Sequence, residues 1–352
     1  MGNAHRQFVV SRVERESASA ASFYLSPRDG GEIGPFAPGQ YVPVTVEIDG
    51  KRLTRFYSIS GKHPGGFRIT VKREPAPLSG DYRLEGRCSS HLHDNIAAGS
   101  VLDARPPLGQ FVLGPLTASP IVMIAAGIGI TPFVGMIEHA SAHEPDRVIH
   151  LFYGVRNSAE HPFKDRLREL AGEYRNFKLT TWYSRPLPVD LLGTDYDRAG
   201  RIDAQQVLAL APRDIAEYLL CGPGAMLESM VEELHAAGVG KDRIRTESFT
   251  RELLDDAEGD EATGNKSEGP TVRFSLSGID RLWEEKYESL LDFAEQLGIE
   301  ISAGCRYGDC GTCLTELLDG VVVYNHRTGV RPDEGYCLPC SCRPSTSITL
   351  NA

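Results

Sequence analysis

The chain has 352 residues, 41% of them hydrophobic and 24% charged, which is long for a single core and excludes a largely disordered, collagen-like or mucin-like polypeptide. Its formal net charge of −11 argues against a general nucleic-acid surface. The charge is uneven: residues 1–250 hold 29 acidic and 28 basic side chains, residues 251–352 hold 19 and 9, and six of the eight cysteines lie in residues 305–352, so the C-terminal part is expected to be a separate module.

The first residues, MGNAHRQFVV, lack the apolar run of a signal peptide, and Arg6 stands where a myristoylation signal needs Ser or Thr. Pro120–Ile137 is uncharged and long enough to suggest a membrane span. Gly127, Gly129, Thr131, Pro132 and Gly135 within it fit a buried strand, a tight turn and a helix better. A cytoplasmic protein with no membrane segment and no nucleic-acid partner is expected. In such a chain, clustered cysteines point to metal or redox chemistry rather than disulfides.

In chain order, residues 1–115 read as short strands, among them Tyr41–Ile48, Arg55–Ser60, Phe67–Arg73 and Val101–Arg105, separated by Gly/Pro/Asp turns. This pattern predicts an antiparallel β-barrel. After Pro115 strands and helices alternate: strand Ile121–Ala126, helix Phe133–Ala142, strand Val148–Gly154, helix Lys164–Tyr174, strand Lys178–Tyr183, strand Tyr218–Cys221, helix Met226–Ala237 and strand Ile244–Ser248. Alternation of this kind predicts an α/β domain on a parallel sheet, over 116–250. Residues 251–270 carry seven acidic and two basic side chains with little apolar content after Leu254, as expected of a charged linker. Beyond it, Val272–Leu276 reads as a strand and Ser289–Gly298 as a helix before a cysteine loop, giving a third domain over 271–352.

That loop holds Cys305, Cys310 and Cys313 in a C-x4-C-x2-C pattern, with Cys340 following in GYCLPCSCRP. The spacing is the plant-type arrangement for a 2Fe-2S cluster on four thiolates. Gly308 and Gly311 let backbone N–H groups approach the sulfurs and tune the potential. A structural zinc site would use paired C-x2-C hooks, Cys310–Cys313 and Cys337–Cys340, and would leave Cys305 unused. The segment resembles plant-type ferredoxins, and that resemblance implies an α+β, β-grasp domain. It also implies Cys340 as the fourth ligand, in the family's G-Y-x-L-x-C pattern, leaving Cys337 and Cys342 as packing thiols.

In the barrel, RFYSIS places Arg55 and Tyr57 on one strand face, beside Ser58; an Arg suits a phosphate and an aromatic suits a flat ring. GRCSSHLHDNIAAGS and PPLGQF follow. Together these resemble the flavin domain of the ferredoxin-NADP reductase superfamily, with the closest likeness to the reductase half of flavohaemoglobins. The resemblance implies that Arg55, Tyr57 and Ser58 bind flavin. It implies that the Gly86-to-Ser89 step opens a helix whose N-terminus holds pyrophosphate. FAD is expected rather than FMN, because the G-G-S step and Pro-Arg-Asn segment of FMN members are missing. His91 and His93 are expected to pack or face solvent.

AAGIGITP supplies Gly127, Gly129 and Thr131 after a buried strand and resembles the superfamily's G-x-G-I-T-P turn, which implies a pyrophosphate and nicotinamide site with Thr131 near hydride transfer. LLCGPG supplies Cys221, Gly222 and Pro223, like the family's Cys-Gly-Pro turn under the nicotinamide. Ser184 and Arg185 in WYSRP would contact the ribose end; NADH is the expected donor, with NADPH the alternative. Phe249 resembles the family's terminal aromatic beside the flavin, and Glu247 is expected in a salt bridge. The order of modules implies an oxygenase-type electron-transfer reductase. Its acceptor would be a Rieske-type oxygenase docking near the ferredoxin domain; the alternatives are a haem or hybrid iron–sulfur acceptor, or a redox-sensing role. The acidic C-terminal part is expected to steer a basic acceptor.

Overall fold

In the computed structural model the chain divides into two compact units, Met1–Thr250 and Arg251–Ala352. The structure describes residues 6–48, 50–74, 87–116, 119–211, 216–248, 269–303, 308, 311–325, 328, 330, 332–333 and 335–352.

The first unit begins with a closed antiparallel barrel of β1 (Arg6–Arg15), β2 (Ala20–Pro27), β3 (Tyr41–Ile48), β4 (Lys51–His63), β5 (Gly66–Lys72) and β6 (Val101–Ala104), in the order β1-β2-β5-β4-β3-β6. Helix α1 (Arg87–Asn95) lies between β5 and β6 in sequence. Phe23, Leu25, Val42, Val44, Ile59, Phe67 and Ile69 fill the barrel, and α1 adds Cys88 and Leu92 to that core. Gly65 turns the β4–β5 hairpin at φ +76°, a left-handed conformation that favours glycine.

The same unit continues with an all-parallel six-stranded sheet of β7 (Ile121–Ala126), β8 (Ile149–Val155), β9 (Phe177–Tyr183), β10 (Arg198–Ala199), β11 (Glu217–Gly222) and β12 (Ile244–Ser248), in the order β10-β9-β8-β7-β11-β12. Helices α2 (Thr131–His143) and α3 (Lys164–Glu173) cover one face with Phe133, Ile137 and Leu167. Helices α4 (Ala204–Leu210) and α5 (Gly224–Ala236) cover the other with Val207, Leu227 and Met230. Burial on both faces is why Ile121–Ala126 is a continuous apolar run rather than an alternating one. Each large side chain buried this way contributes about 1.5–3 kcal/mol.

Barrel and sheet are packed together through α2. A Cβ on Gly135 would stand 2.8 Å from the Ile59 carbonyl of β4, so glycine permits this close approach. Beside it Arg68 pairs with Glu138 at 3.2 Å, donates to the Ser60 carbonyl at 2.6 Å, and lies over the Phe163 ring. Glu138 also receives Arg166 at 3.1 Å. A buried arginine with these partners fixes geometry more than it adds net stability.

The second unit has a five-stranded sheet of β13 (Thr271–Phe274), β14 (Ile279–Leu282), β15 (Thr315–Asp319), β17 (Tyr336–Cys337) and β19 (Ile348–Leu350), ordered β14-β13-β19-β15-β17, with β13 and β19 parallel. A separate two-stranded antiparallel sheet pairs β16 (Val322–Tyr324) with β18 (Cys342–Pro344). Helix α6 (Leu290–Gln296) packs Leu290, Phe293 and Ala294 into the core, and Ser289 caps its N-terminus by accepting the Asp292 N–H.

The multidomain architecture expected from the sequence is the one observed: a closed antiparallel barrel, a parallel α/β sheet and a separate α+β domain. Strands Ile121–Ala126 and Ile244–Ser248 have the expected limits. The helix expected at Phe133 starts at Thr131, because Pro132 fits the first turn, where no N–H partner is needed. The strand expected over Val272–Leu276 ends at Phe274, since the chain turns through Gly278 at φ +65°. Strands β1 and β2 fall within the run of strands expected over residues 1–115, whereas helix α4 and strand β10 were not anticipated. Among the described residues no helix is long and apolar enough to cross a membrane.

Candidate functional site

Strand β4 carries Arg55, Tyr57 and Ser58 at the register positions opposite Val44, Val42 and Tyr41 of β3. Tyr57 is half-buried against the barrel core. Burial raises its phenol pKa, the Cys88 thiol adds to this, and the Arg55 guanidinium opposes it, so the ring stays neutral at working pH. Ser58 is 4% exposed, and its hydroxyl is buried with no hydrogen-bond partner among the described residues. A buried unpaired hydroxyl is costly unless a ligand supplies the partner, which fits the edge of a flavin ring.

Helix α1 starts next to this strand. Ser89 accepts the Glu74 N–H at 3.1 Å, and Ser90 donates to the Glu74 carbonyl at 3.3 Å, so the end of β5 is tied to the first turn of α1. His93 bonds the Val71 carbonyl at 2.9 Å and stands edge-on to Phe23, the packing role expected of it. Gly86 lies outside the described residues, as does Phe249.

The second element of the site is the turn Gly127–Ile130, between β7 and α2. Sheet order reverses here, since β8 lies on one side of β7 and β11 on the other. In open parallel sheets this switch point, at the carboxyl ends of the strands, is where ligands bind. Gly129 cannot carry a side chain: a Cβ would stand 2.2 Å from the Cys221 carbonyl and 2.9 Å from the Gly222 nitrogen. The structure thus brings Gly129 against Cys221 and Gly222, with Gly127 and Thr131 flanking it along the chain and exposed Pro223 capping α5. Thr131 is buried, and its hydroxyl donates to the Ile128 carbonyl at 3.0 Å. Cys221 is fully buried; burial, with Glu247 beside it, holds its thiol pKa well above the ordinary value, so it is not a nucleophile. Ser184 and Arg185 follow β9, both exposed, with their N–H groups held by the Val155 and Arg156 carbonyls at 2.9 and 2.8 Å.

In the second unit, Cys313 and Cys340 meet, sulfur to sulfur, at 3.1 Å, in a small cluster with Leu291 and Leu338. Cys337 and Cys342 are instead part of the main core, beside Phe274, Phe293 and Leu350. Gly308, at φ +81°, directs its amide at the Cys340 sulfur, which favours the thiolate, while Cys313 and burial push the thiol pKa up. A Cβ on Gly308 would meet Thr328 at 2.4 Å and Ser341 at 2.7 Å, so glycine alone lets that amide approach. Two buried sulfurs in contact, with an amide aimed at one, fit a thiolate-held cluster. Cys305 and Cys310 lie outside the described residues, as do 251–268 of the linker.

Sequence reasoning missed Glu138 and Arg68, which set α2 against β4, and Tyr153, which reaches the Gly127 turn. The only signal for Tyr153 was an aromatic near the end of a strand that runs beside the Gly-x-Gly strand.

Three families match successive stretches of the chain: Oxidoreductase FAD-binding domain over residues 7–113, Oxidoreductase NAD-binding domain over 123–232, and 2Fe-2S iron-sulfur cluster binding domain over 281–345. A flavohemoprotein from Rhizobium meliloti is 39% identical over 252 residues, 71% of this chain and 61% of the relative. The chain thus spans about 61% of the length of that curated relative. The flavohem-like FAD/NAD binding domain of a nitric oxide dioxygenase from Vibrio cholerae is 29% identical with a TM-score of 0.60, covering 69% of this chain and 98% of that one. Phthalate dioxygenase reductase shares the fold along nearly the whole length, with a TM-score of 0.64 at 23% identity over 99% of this chain and 98% of that one.

Proposed function

As a member of the ferredoxin-NADP reductase superfamily with a C-terminal 2Fe-2S domain, the chain is an NAD(P)H-dependent flavin and iron–sulfur oxidoreductase, and we propose that it supplies electrons to a Rieske-type oxygenase. The working boundaries are 1–115 for the FAD domain, 116–250 for the nicotinamide domain and 271–352 for the cluster domain.

The observation that carries this reading is the packing of α2 on β4. Strand β4 bears the residues that would bind flavin, and α2 begins at the turn that would seat the nicotinamide, so their packing, at Gly135 on Ile59 and through the Arg68–Glu138 pair, would hold both half-sites in one unit. FAD bound there would accept a hydride from a nicotinamide and release electrons singly, which is what a 2Fe-2S cluster accepts. Arg55 would bind the flavin phosphate, Tyr57 would stack on the ring, and Ser58 would donate to the ring edge, while Ser89, three residues after Gly86, would hold the pyrophosphate at the start of α1. Gly127, Gly129 and Thr131 would seat the dinucleotide, with Cys221, Gly222, Pro223 and Phe249 below and beside its nicotinamide and Ser184 and Arg185 at its ribose. Cys305, Cys310, Cys313 and Cys340 would hold the cluster. None of these residues need act as an acid or base, since hydride transfer depends on stacking and orientation. Tyr57 and Cys221, both held protonated by burial, suit that role.

The name of the flavohemoprotein relatives favours a second acceptor, a haem protein. Anaerobic stopped-flow mixing with NADH tests both readings. The expected result is flavin bleaching followed by cluster reduction, then faster reoxidation by a Rieske-type oxygenase component than by a haem acceptor. No bleaching overturns the reductase reading, and the reverse acceptor order replaces the Rieske partner with a haem one.

A further inference from the structure

The Gly127–Ile130 turn is clasped from below by two hydroxyl groups on different elements. Thr131, at the start of α2, donates to the Ile128 carbonyl at 3.0 Å. Tyr153, on the neighbouring strand β8, donates to the Gly127 carbonyl at 3.0 Å. Tyr153 stands opposite Ala125 in the β7–β8 register, two residues before the glycine it holds. Gly127 is at φ +54°, so the chain leaves the strand in a left-handed conformation, and side-chain packing alone does not set its carbonyl direction.

A trans peptide is planar, and its C=O and N–H point opposite ways. Drawing the Gly127 oxygen toward β8 therefore aims the Ile128 N–H away from Tyr153. Drawing the Ile128 oxygen toward Thr131 orients the Gly129 N–H in the same manner. Oriented N–H groups at a strand-to-helix turn form an anion site.

Tyr153 is itself fixed. It is fully buried, and the His161 ring stands edge-on to it at 5.2 Å. His161 in turn bonds the Tyr183 hydroxyl through Nδ1 at 2.8 Å. Burial, with Glu16 and Tyr183 contributing, holds the Tyr153 phenol pKa well above its ordinary value, so the hydroxyl remains a donor.

We propose that Tyr153 is a positioning residue of the nicotinamide-dinucleotide site, acting through the Gly127 carbonyl to aim the Ile128 amide at the pyrophosphate. This rests on the reading of the chain as an NAD(P)H reductase. The contact is made with or without the transition state, so its loss weakens binding more than it slows the chemical step.

The test is Tyr153→Phe, with Tyr174→Phe as the control. Tyr174 is also a buried tyrosine of this unit, and its hydroxyl donates to main-chain carbonyls of Glu144 and Arg147, at the amino end of β8. In the flavin- and cluster-loaded protein, calorimetric titration with NAD+ is expected to show about a fivefold weaker Kd for Tyr153→Phe. KM for NADH should rise by a similar factor while the limiting rate of flavin bleaching stays within about twofold. Tyr174→Phe should lose comparable thermal stability yet keep wild-type NAD+ binding. Unchanged NAD+ binding in Tyr153→Phe overturns the proposal. So does equal weakening in Tyr174→Phe, or failure of Tyr153→Phe to fold, since either makes the hydroxyl only a fold determinant. Failure of the wild-type protein to reduce its flavin with NADH overturns the reductase reading instead, and is seen before any variant is made.

Discussion

On the proposed reading, the Gly127–Ile130 turn and the Cys313–Cys340 pair would solve the same problem, holding a redox group, with opposite materials. At the turn in the first unit the parts that would face the ligand are backbone: a left-handed Gly127, a Gly129 pressed on the Cys221 carbonyl, and strand ends brought together by two apolar layers. In the second unit the facing groups are side-chain sulfurs set in a much smaller core, where Cys313 and Cys340 group with two leucines. Small domains bury too little apolar surface to be generous with stability, and a metal group then contributes to folding itself. The lesson is that loss of a ligand should be local in the first unit and global in the second.

The largest expected effect breaks the contrast from the cluster side. Cys340→Ser should abolish the cluster's visible absorbance and lower the unfolding midpoint of the second unit, with the flavin spectrum intact. Cys337→Ser and Cys342→Ser should retain the absorbance, as checked on purified protein; the opposite pattern would move the fourth ligand. Next is Gly129→Ala, which must displace the Cys221 carbonyl. It should destabilise the first unit by about 1–3 kcal/mol in urea titration and remove NADH-dependent bleaching, while dithionite still reduces flavin and cluster.

Ser58→Ala separates ligand binding from folding. Its hydroxyl lacks a partner among the described residues, so the flavin-free protein should keep its stability, whereas flavin affinity should fall about tenfold in fluorescence titration. A smaller effect is expected from pH. Burial first, then Lys164 and Arg168, lowers the His161 pKa to about 3. Because the folded-state value lies below the ordinary 6.5, the neutral ring's contribution is complete above pH 6.5 and is lost as pH falls toward 3. Thermal melts of the first unit should decline between pH 7 and 5, and His161→Gln should flatten that decline. Last, if the acidic 251–352 segment steers a basic acceptor, electron delivery should slow as ionic strength rises; a flat response removes steering.

Much of this was legible in the chain because the chemistry is local. The C-x4-C-x2-C loop, RFYSIS and AAGIGITP each place their groups within a few residues, and the alternation of apolar runs with helical patterns signals the parallel sheet. Cys340, expected as the fourth ligand through the resemblance to ferredoxins rather than through spacing, is the sulfur that lies beside Cys313. What stayed hidden depends on distant partners. Arg68 and Glu138 are 70 residues apart, and nothing near either marks the pair that seats α2 on the barrel.

The amino-acid sequence by itself determined the modules, their order and the residue types offered to each redox group, because strand and helix periodicity and ligand spacing are short-range properties. Only the tertiary structure decided which strand ends meet, why Gly129 must lack a side chain, and that a tyrosine hydroxyl from the next strand bonds the Gly127 carbonyl. Those are contacts between segments 26 to 96 residues apart, set by sheet order and by the close packing of buried surfaces rather than by any local pattern.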